Sequence, residues 1–468
     1  MIAVTTMAGR EVALFGLGGS GMATARALRE GGAEPVVWDD NPDRVNAARD
    51  EGLRAQDLRT LDWGHVAALV LAPGVPLTHP QPHWTVDLAA AAGVEVIGDI
   101  ELFCRERAAT CPNAPFVAVT GTNGKSTTTA LIAHLLREEG LDVQMGGNIG
   151  VPILALEPLS EKRVYVVECS SYQIDLAPSL NPTVGVLLNV TPDHLDRHGS
   201  FENYVAIKER LVSRAWASVV GIDDDPCRAV AKRLAAEREG RPRSHLTFSH
   251  SDDEADVFVR DGRVWAHPPG RLEPPSPHDF VDLRTHPSLR GAHNAQNVAA
   301  AVAAMVNVRQ RGSEFHARGL RSFRGLPHRM EHVPVEDDDV VFYNDSKATN
   351  AESVAPALSA FERVHWIAGG LPKDGGIEPL RRHFDRIERA YLIGDAAPQF
   401  AATLGETVPY EIAGTLDVAV KRAAHDARLA RGGVVLFSPA AASFDQFRNF
   451  EDRGEAFKAA VRAVFEGD

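Results

Sequence analysis

Short apolar runs alternate with glycine turns and helical patterns in the first part of the chain. The runs begin at Glu11 and continue over residues 35–38, 67–74 and 94–97, and each is short enough to be a buried strand. The first run leads into an alanine-rich segment, residues 22–29, that is expected to be helical. Strands that alternate with helices are typical of parallel sheets, so the pattern predicts an α/β fold.

Two further series of strand-like runs follow. One comprises residues 116–119, 164–168 and 184–189, and the other begins near Leu326, with strands that end in polar or glycine loops. Residues 240–290 lie between the two series and are rich in Pro, Arg and His. We expect this stretch to be irregular and peripheral, apart from one hairpin at an Asp-Gly pair.

The turn after the strand at residue 116 combines two glycines, a lysine and a hydroxyl group. It reads Gly121-Thr-Asn-Gly124-Lys125-Ser126, and a helix is predicted from Ser126 onward. Such a turn aims backbone N–H groups and a helix N-terminus at one point, which favours an anion. The lysine can reach β- and γ-phosphate oxygens, and the serine can bind Mg²⁺. Although the usual P-loop has glycine where Val119 stands, we predict a nucleotide triphosphate site.

A second glycine pattern, Gly16-x-Gly18-x-x-Gly21, follows the first strand. About twenty residues later the next strand ends at Asp39-Asp40, a spacing typical of a dinucleotide site. Because a separate phosphate loop follows, a dehydrogenase is disfavoured. We interpret the first domain as Rossmann-like, with a nucleotide-like ligand.

The length of the chain, 468 residues, predicts about three domains. Residues near 105–115 are interpreted as a linker. The predicted domains are an N-terminal Rossmann-like domain over residues 1–108, a central P-loop ATPase-like parallel sheet over residues 109–325 and a C-terminal Rossmann-like domain over residues 326–468.

Charge and cysteine content disfavour several classes of protein. The chain has 49 Lys and Arg against 63 Asp and Glu, a net charge of −14, which argues against nucleic acid or an anionic membrane as partner. The four cysteines form no Cys-x-x-Cys pair, which favours a reducing cytoplasm. No signal sequence opens the chain, and no apolar run approaches the roughly 18 residues of a membrane span.

Polar side chains with possible chemical roles follow the central strands. Glu168 ends an apolar strand and is a natural Mg²⁺ ligand, although a helix cap or an ion pair would also explain it. His194 and His198 have the spacing of a zinc pair, but neither a third ligand nor a helical HExxH accompanies them. Lys208 lies on a predicted helix, where spacing alone favours a surface lysine.

Two dense polar segments lie in the third predicted domain. One runs from Asp345 to Asn350 after a strand, and the other, residues 438–450, reads SPAAASFDQFRNF. Helix capping would explain Asp345 or Ser346, and core packing would explain some of the phenylalanines. Neither explains the turn SPAAAS.

Taken together, these motifs resemble the Mur ligase family of peptidoglycan synthesis. The sequences GTNGKST, GGNIG, DHLDRH with Lys208 downstream, and HNAQN are similar to family motifs. LPHRMEHV, NDSKATN and SPAAASFDQF resemble those of the members that add D-glutamate. The resemblance covers nearly the whole chain apart from residues 240–290.

The resemblance implies a cytoplasmic, ATP-dependent ligase that joins D-glutamate to UDP-N-acetylmuramoyl-L-alanine through an acyl phosphate. It implies that the three domains bind the UDP-substrate, ATP and the amino acid, in that order along the chain. The implied cofactors are ATP and Mg²⁺ at two sites. We expect no nucleic acid or membrane partner, and a monomer.

The resemblance also implies roles for individual positions. The implied catalytic residues are Lys125, Glu168, His194 and Lys208. The implied Mg²⁺ ligands are Ser126, Glu168, His194 and Lys208, the last as a CO₂-derived carbamate, since an ammonium group repels Mg²⁺. The implied ATP contacts are Gly121, Thr122, Asn123, Gly124, Lys125, Ser126, Thr127, Asn294, Asn297, Arg329, Asp345 and Lys347. The implied substrate contacts are Gly19, Ser20, Asp39, Gly74, Asn148, His328, Thr349, Lys373, Ser443, Phe444 and Phe450.

One departure and several alternatives remain. Asp40-Asn41 follow Asp39 where relatives have a Thr-Arg-like pair, so how the uracil and diphosphate are held is open. The alternatives are another Mur ligase or a folylpolyglutamate synthetase-type ligase, an NAD-dependent oxidoreductase with an accessory P-loop, and a nucleotide-binding regulatory module. A binding module would not need Glu168, His194 and Lys208 beside a phosphate loop.

Overall fold

The computed structural model describes residues 1–240, 244–267, 276–278, 281–308, 313–335, 340–373 and 375–465. It divides into two compact units. Unit 1 comprises residues 1–281 and 294–321, and unit 2 comprises residues 282–293 and 322–468. Both units are built from mainly parallel sheets with helices between the strands, which confirms the predicted α/β class. The three domain boundaries stay predictions.

The strands and helices have the following bounds. The strands are β1 (Glu11–Phe15), β2 (Glu34–Trp38), β3 (Arg54–Ala55), β4 (Val66–Leu71), β5 (Glu95–Ile97), β6 (Phe116–Thr120), β7 (Asp142–Gly147), β8 (Arg163–Glu168), β9 (Val184–Leu187), β10 (Ala217–Gly221), β11 (His245–Ser249), β12 (Val257–Arg260), β13 (Arg263–Ala266), β14 (Ser276–His278), β15 (Glu331–Val333), β16 (Val340–Asn344), β17 (Val364–Gly369), β18 (Ile387–Ile393), β19 (Tyr410–Gly414) and β20 (Gly433–Phe437). The helices are α1 (Gly19–Glu30), α2 (Pro42–Asp50), α3 (Trp84–Ala91), α4 (Asp99–Thr110), α5 (Lys125–Glu138), α6 (Ser171–Asp175), α7 (Leu195–His198), α8 (Phe201–Ser213), α9 (Asp225–Arg238), α10 (Ala292–Val308), α11 (Ser313–Ser322), α12 (Ala351–Ser359), α13 (Ala397–Leu404), α14 (Leu416–Leu429) and α15 (Phe450–Phe465). Among the helices of the described stretches, none has both the length and the apolar character that a bilayer crossing requires.

The first sheet of unit 1 has five parallel strands in the order β3-β2-β1-β4-β5. The strand order reverses between β1 and β4, which is where an open α/β sheet usually binds its ligand. Between β1 and α1 the chain makes the glycine turn predicted from the sequence. A Cβ atom on Gly21 would lie 1.8 Å from the carbonyl oxygen of Gly16, so the turn requires glycine there.

The second sheet of unit 1 has nine strands in the order β14-β13-β12-β11-β10-β9-β6-β8-β7. β6 lies between β9 and β8 and is parallel to both, so the loops after these three strands meet at one edge. The predicted hairpin at Asp261-Gly262 is confirmed, because β12 and β13 pair antiparallel at the far edge of the sheet. Residues 240–290 are not irregular throughout, since β11 adds a parallel strand beside β10.

The prediction of a linker over residues 105–115 is wrong for its first half. Residues up to Thr110 continue helix α4, and its charged side chains are buried rather than solvated. Glu106 accepts hydrogen bonds from the hydroxyl of Thr5 and the N–H of Thr6, and Arg107 donates to the carbonyl of Ala114. Burial of paired charges explains the error, because the same residue types would mark an exposed linker.

Unit 2 contains a six-stranded sheet in the order β15-β16-β20-β17-β18-β19, which matches the second Rossmann-like sheet predicted from the sequence. Only β15 runs antiparallel. β15 and β19, the two edge strands of the sheet, were not among the predicted strands. One apolar cluster on each face covers the sheet. The polar loops after β16, β17 and β20 therefore meet at the carboxyl edge of adjacent strands.

Candidate active site

The phosphate loop connects β6 to α5 and is shaped by glycines that no other residue could replace without strain. Gly124 caps α5 with φ of 81°, and a Cβ atom there would lie 2.3 Å from Oδ1 of Asn297. A Cβ atom on Gly121 would lie 2.9 Å from Cβ of Leu188. The loop and the N-terminus of a four-turn helix thus have a geometry that favours an anion.

Two lysines converge on the carbonyl oxygen of Gly121. Lys125 Nζ donates to this oxygen at 2.9 Å and to the carbonyl of Thr122 at 2.7 Å. Lys208 Nζ donates to the same oxygen at 2.8 Å and contacts the hydroxyl of Thr120 at 3.3 Å. The predicted lysines are therefore neighbours, and the interpretation of Lys208 as a surface lysine is wrong, since it is 1% exposed.

The environment of Lys208 lowers the pKa of its amine. Burial, reinforced by the nearby charge of Lys125, lowers the pKa of Lys208 to about 7. The Nζ atom of Lys208 also lies 4.7 Å from the ring centroid of Tyr204. A lysine that is partly unprotonated near neutral pH can react as a nucleophile, which an ordinary surface lysine does poorly.

Glu168 lies at the end of β8 and has one carboxylate oxygen without a hydrogen-bond partner. Oε1 accepts a hydrogen bond from Nδ2 of Asn148 at 2.7 Å, whereas Oε2 is buried and has no partner in the structure. Ser126, in the first turn of α5, is also buried. A buried carboxylate oxygen and a serine hydroxyl are the donors that Mg²⁺ prefers, so these residues fit the predicted metal.

The two histidines of the DHLDRH motif differ in environment. His194 is half-exposed at φ of 52°, and its Nε2 lies 3.4 Å from Oδ2 of Asp193. His198 is buried, contacts the hydroxyl of Ser171 through Nε2 at 2.9 Å and stacks on Tyr172. His198 is thus packed within the fold, and nothing in its surroundings supports a zinc pair. Over the stretches that the structure describes, no three His, Cys, Asp or Glu residues are grouped to hold a metal.

The first sheet contributes a cleft of about 620 Å³ at its carboxyl edge, within unit 1. Its lining includes four of the predicted substrate contacts of the first domain, together with a loop after β7. The predicted residues that line it are Gly19, Ser20, Asp39, Gly74 and Asn148. The structure therefore brings the first glycine loop and the GGNIG loop to one cavity.

Asp39 has a structural task in this cleft. Its Oδ2 accepts the N–H of Leu17 at 2.6 Å, and its Oδ1 accepts the N–H of Asn41 at 2.8 Å. The Asp39 carboxylate thus stabilises the conformation of the glycine loop. Arg44, on α2, lines the same cleft and approaches Oδ2 of Asp39 at 3.4 Å. Sequence reasoning missed Arg44, although its position in the helix after the Asp39 strand was an available signal.

The amides of α10 reach the phosphate loop. Oδ1 of Asn297 accepts a hydrogen bond from the hydroxyl of Thr128 at 3.1 Å, and Nδ2 donates to Oδ1 of Asn294 at 3.2 Å. Both asparagines are buried beside α5. The structure thus brings the predicted Asn294 and Asn297 to the loop, as the sequence expectation requires.

In unit 2, the predicted nucleotide contacts gather after β16. Asp345 is buried and accepts hydrogen bonds from the hydroxyl of Ser438 at 2.7 Å and the N–H of Met330 at 3.2 Å. Arg329 is the charged group that acts on Asp345, and Lys347 Nζ lies 4.6 Å from the ring centroid of Phe450. Asp345 and Arg329 are therefore neighbours, and Lys347 lies two residues after Asp345.

His328 is packed inside unit 2. It is 6% exposed, and its Nδ1 accepts a hydrogen bond from Nδ2 of Asn344 at 3.0 Å. A Cβ atom on Gly454 would lie 2.0 Å from the same Nδ1. Through these contacts, His328 packs the loop before β15 against α15.

The predicted amino-acid contacts lie on two adjacent loops of unit 2. Lys373 Nζ lies 3.4 Å from the hydroxyl of Thr349. The chains at Leu371 and Ala442 exchange two backbone hydrogen bonds of 2.9 and 3.0 Å, which ties the Lys373 loop to the loop that carries Ser443. The side chain of Phe444, in contrast, is 69% exposed.

Comparison with known proteins decides the family. Residues 119–305 match the family model of the Mur ligase middle domain, and residues 328–441 match that of the Mur ligase, glutamate ligase domain. The chain is 58% identical over 467 residues to the UDP-N-acetylmuramoylalanine--D-glutamate ligase of Mesorhizobium japonicum, with 99% of this chain and 98% of that protein covered. The chain belongs to the Mur ligase family. A protein of the same name from Chelativorans sp. strain BNC1 is also 58% identical, with the same coverage.

A solved structure supports the fold of this Mur ligase. The MurF ligase from Thermotoga maritima, determined in complex with ADP, superimposes with a TM-score of 0.55. The comparison covers 99% of this chain and 96% of that one, at 16% sequence identity. At this identity the similarity bears on the fold alone.

Burial of Asp345 predicts a pH dependence of the stability of this Mur ligase. Burial, opposed by the hydrogen bond from Ser438, raises the pKa of Asp345 from its ordinary value of 3.8 to about 7. The folded chain therefore binds an extra proton between about pH 4 and pH 7. The stability due to this proton is complete below pH 4 and is lost as the pH rises through 7. The slope is up to about 1.4 kcal/mol per pH unit.

The test compares Asp345→Asn with wild type by thermal and urea unfolding from pH 5 to pH 8. We expect the stability of the variant relative to wild type to rise with pH, because asparagine does not titrate. The exposed Asp385 provides the control, since Asp385→Asn makes the same substitution at a surface position. A constant difference for Asp345→Asn would contradict the account.

Proposed function

We propose that the chain is an ATP-dependent ligase that joins D-glutamate to UDP-N-acetylmuramoyl-L-alanine in peptidoglycan precursor synthesis. The observation that carries the proposal is the pairing of full-length relatives bearing this name with a phosphate loop beside Glu168 and Lys208. We further propose that it acts as a monomer in the cytoplasm. Its four cysteines, all buried free thiols, suit a reducing compartment.

ATP is proposed to bind with its phosphates at the loop between β6 and α5. Lys125 would exchange its contacts with loop carbonyls for β- and γ-phosphate oxygens, and the N–H groups of the first turn of α5 would bind the same anion. The remaining proposed ATP contacts are Gly121, Thr122, Asn123, Gly124, Ser126, Thr127, Asn294 and Asn297 in unit 1, and Arg329, Asp345 and Lys347 in unit 2.

Mg²⁺ is proposed at two sites. Ser126 and Glu168 would hold one ion, and the unpartnered Oε2 of Glu168 supports this assignment. His194 and Lys208, the latter as a carbamate, would hold the second. The lowered pKa of Lys208 suits this role, because only a neutral amine adds CO₂. Bound Mg²⁺ would supply positive charge that offsets the negative charge on the transferring phosphoryl group.

The proposed reaction has two steps. In the first, a carboxylate oxygen of UDP-N-acetylmuramoyl-L-alanine attacks the γ-phosphorus of ATP, and ADP leaves with the electrons of the broken P–O bond. In the second, the amine of D-glutamate attacks the acyl carbon, loses a proton, and expels inorganic phosphate. Lys125 would stabilise the negative oxygens during the first step, since its charge lies against the loop that binds them.

The cleft of the first sheet is proposed to bind the UDP part of the substrate. Gly19, Ser20 and Gly74 would approach the diphosphate through backbone groups, and Asp39 would keep the glycine loop in place. Arg44 supplies a cation at the same cleft, where the usual Thr-Arg-like pair is replaced by Asp40-Asn41. Asn148, which reaches Glu168, is proposed to lie near the reacting end of the substrate.

D-Glutamate is proposed to bind at the joined loops of unit 2. Lys373 would pair with a carboxylate, Thr349 and Ser443 would donate hydroxyl hydrogen bonds, and the backbone near Phe444 and Phe450 would donate N–H groups. Because His328 is buried, we propose that it supports the site without contacting the substrate.

The alternatives fit the geometry less well. An NAD-dependent oxidoreductase would use the acid after β2 for a ribose hydroxyl, but both oxygens of Asp39 already accept backbone N–H groups. A regulatory module would not need the buried Lys208 and the open oxygen of Glu168. Another amide ligase would be distinguished by the amino acid that it joins to its substrate.

The assay that tests the proposal measures ADP and phosphate release with UDP-N-acetylmuramoyl-L-alanine and one amino acid at a time. D-Glutamate, L-glutamate, L-alanine and meso-diaminopimelate are offered in turn. We expect turnover with D-glutamate and strong rejection of the others, because paired donors leave a mismatched ligand unsatisfied. Turnover with another of these amino acids, and none with D-glutamate, would overturn the assignment.

Replacement of Lys373 tests the amino-acid site. A carboxylate that loses its cation costs roughly 2–5 kcal/mol in a buried pair, and Lys373 is exposed, so we expect Lys373→Ala to raise the KM for D-glutamate at least about tenfold. The KM for ATP should change little. Lys421→Ala, an exposed lysine of α14 in the same unit, is the matched control. An unchanged KM for D-glutamate in Lys373→Ala would remove this residue from the site.

A further inference from the structure

The side chain of Asn189 forms two hydrogen bonds with the backbone of the phosphate loop. The N–H of Asn123 donates to Oδ1 of Asn189 at 2.9 Å, and Nδ2 of Asn189 donates back to the carbonyl of Asn123 at 3.2 Å. The carbonyl of Asn189 also accepts the N–H of Thr122 at 2.9 Å. The amide thus pairs with the middle of the loop as a neighbouring strand would.

This pairing works in only one orientation of the amide. If Asn189 turned its amide over, Nδ2 would face the N–H of Asn123 and Oδ1 would face its carbonyl, so both contacts would become repulsive. The loop therefore depends on a group that fixes which end of the amide carries oxygen.

Gln296, on α10, fixes that orientation. Nδ2 of Asn189 donates to Oε1 of Gln296 at 2.8 Å. Nε2 of Gln296 in turn donates to Oδ2 of Asp223 at 2.6 Å. Gln296 is 9% exposed, so water cannot readily replace either contact.

Asp223 ends the chain of contacts, and as a carboxylate it only accepts hydrogen bonds. Its other oxygen, Oδ1, accepts from the hydroxyl of Ser249 and lies 2.8 Å from Nδ1 of His250. Although burial alone would raise it, the hydrogen bonds from His250, Ser249 and Gln296 lower the pKa of Asp223 overall. Asp223 is therefore ionised at neutral pH and presents only oxygen to Gln296.

We propose that Asp223 is a positioning residue for the phosphate loop, acting through the amides of Gln296 and Asn189. The carboxylate makes Gln296 present its NH₂ group to Asp223 and its oxygen to Asn189. Asn189 must then present its NH₂ group to Gln296 and its oxygen to the N–H of Asn123. The inference rests on the proposed function only in that the loop binds the phosphates of a nucleotide.

The order of donors and acceptors gives the proposal a reciprocal test. In Asp223→Asn, the amide oxygen keeps the contacts with Ser249 and His250, so the new NH₂ group faces that of Gln296. In Gln296→Glu two carboxylates repel each other, which moves the acceptor of Asn189 out of place. In the double variant Asp223→Asn/Gln296→Glu, the amide at position 223 donates to the carboxylate at position 296, which still accepts from Asn189. The double variant keeps the net charge of the wild type and restores the orientation of Asn189.

The experiment is calorimetric titration of the full-length chain with ADP, together with thermal unfolding of each variant. We expect each single variant to bind ADP roughly tenfold more weakly, as for the loss of one or two hydrogen bonds. The double variant should bind within about threefold of wild type. Asn113→Asp, an exposed asparagine bonded to Glu161, is the control and should bind as wild type does.

The outcomes separate the inference from the proposed function. Wild-type chain that fails to bind ADP would overturn the proposed function and the inference with it. Wild-type binding with equal binding by both single variants would overturn the inference alone. If the single variants unfold at lower temperature, the double variant decides, since recovered ADP affinity supports positioning and failure to recover it contradicts positioning.

Discussion

The carbonyl oxygen of Gly121 is the point on which the active-site geometry of unit 1 depends. It accepts from both Lys125 and Lys208, so the positive charge that a triphosphate needs is fixed to the backbone of the loop itself. Burial, together with the closeness of the two amines, lowers the pKa of Lys208 and gives this lysine a chemistry different from that of Lys125. One constraint thus places a cation and a reactive amine side by side.

The parallel sheets explain why the other polar groups lie near this point. β8 and β9 flank β6, so Glu168 and Asn189 leave their strands at the same edge as the phosphate loop. In unit 2, backbone hydrogen bonds between Leu371 and Ala442 join the loops that carry Lys373 and Ser443. The positions of these polar groups are therefore a consequence of which strands are neighbours.

Features that depend on neighbouring residues were predicted correctly from the sequence. Contacts between residues far apart in the sequence were not. The phosphate loop, the first glycine turn and the Asp261-Gly262 hairpin follow from spacing within a few residues, and all were found. The burial of Glu106 within α4 was not foreseen, because a charged residue on a helix carries no sign of its distant partners at Thr5 and Thr6. The Asp223-Gln296-Asn189 contacts were missed for the same reason, since their members are far apart in sequence and meet only in the folded chain. Arg44 differs, because it lies only five residues after its partner Asp39.

The central claim is that the phosphate loop and its lysines serve transfer of a phosphoryl group to the carboxylate of the UDP-substrate. The most direct measurement uses UDP-N-acetylmuramoyl-L-alanine with ¹⁸O in that carboxylate, incubated with ATP, Mg²⁺ and D-glutamate. The account predicts that the inorganic phosphate released carries one ¹⁸O atom, because the acyl C–O bond breaks after the oxygen has joined phosphorus. Phosphate that carries only oxygen from ATP and water, with amide product formed, would contradict it.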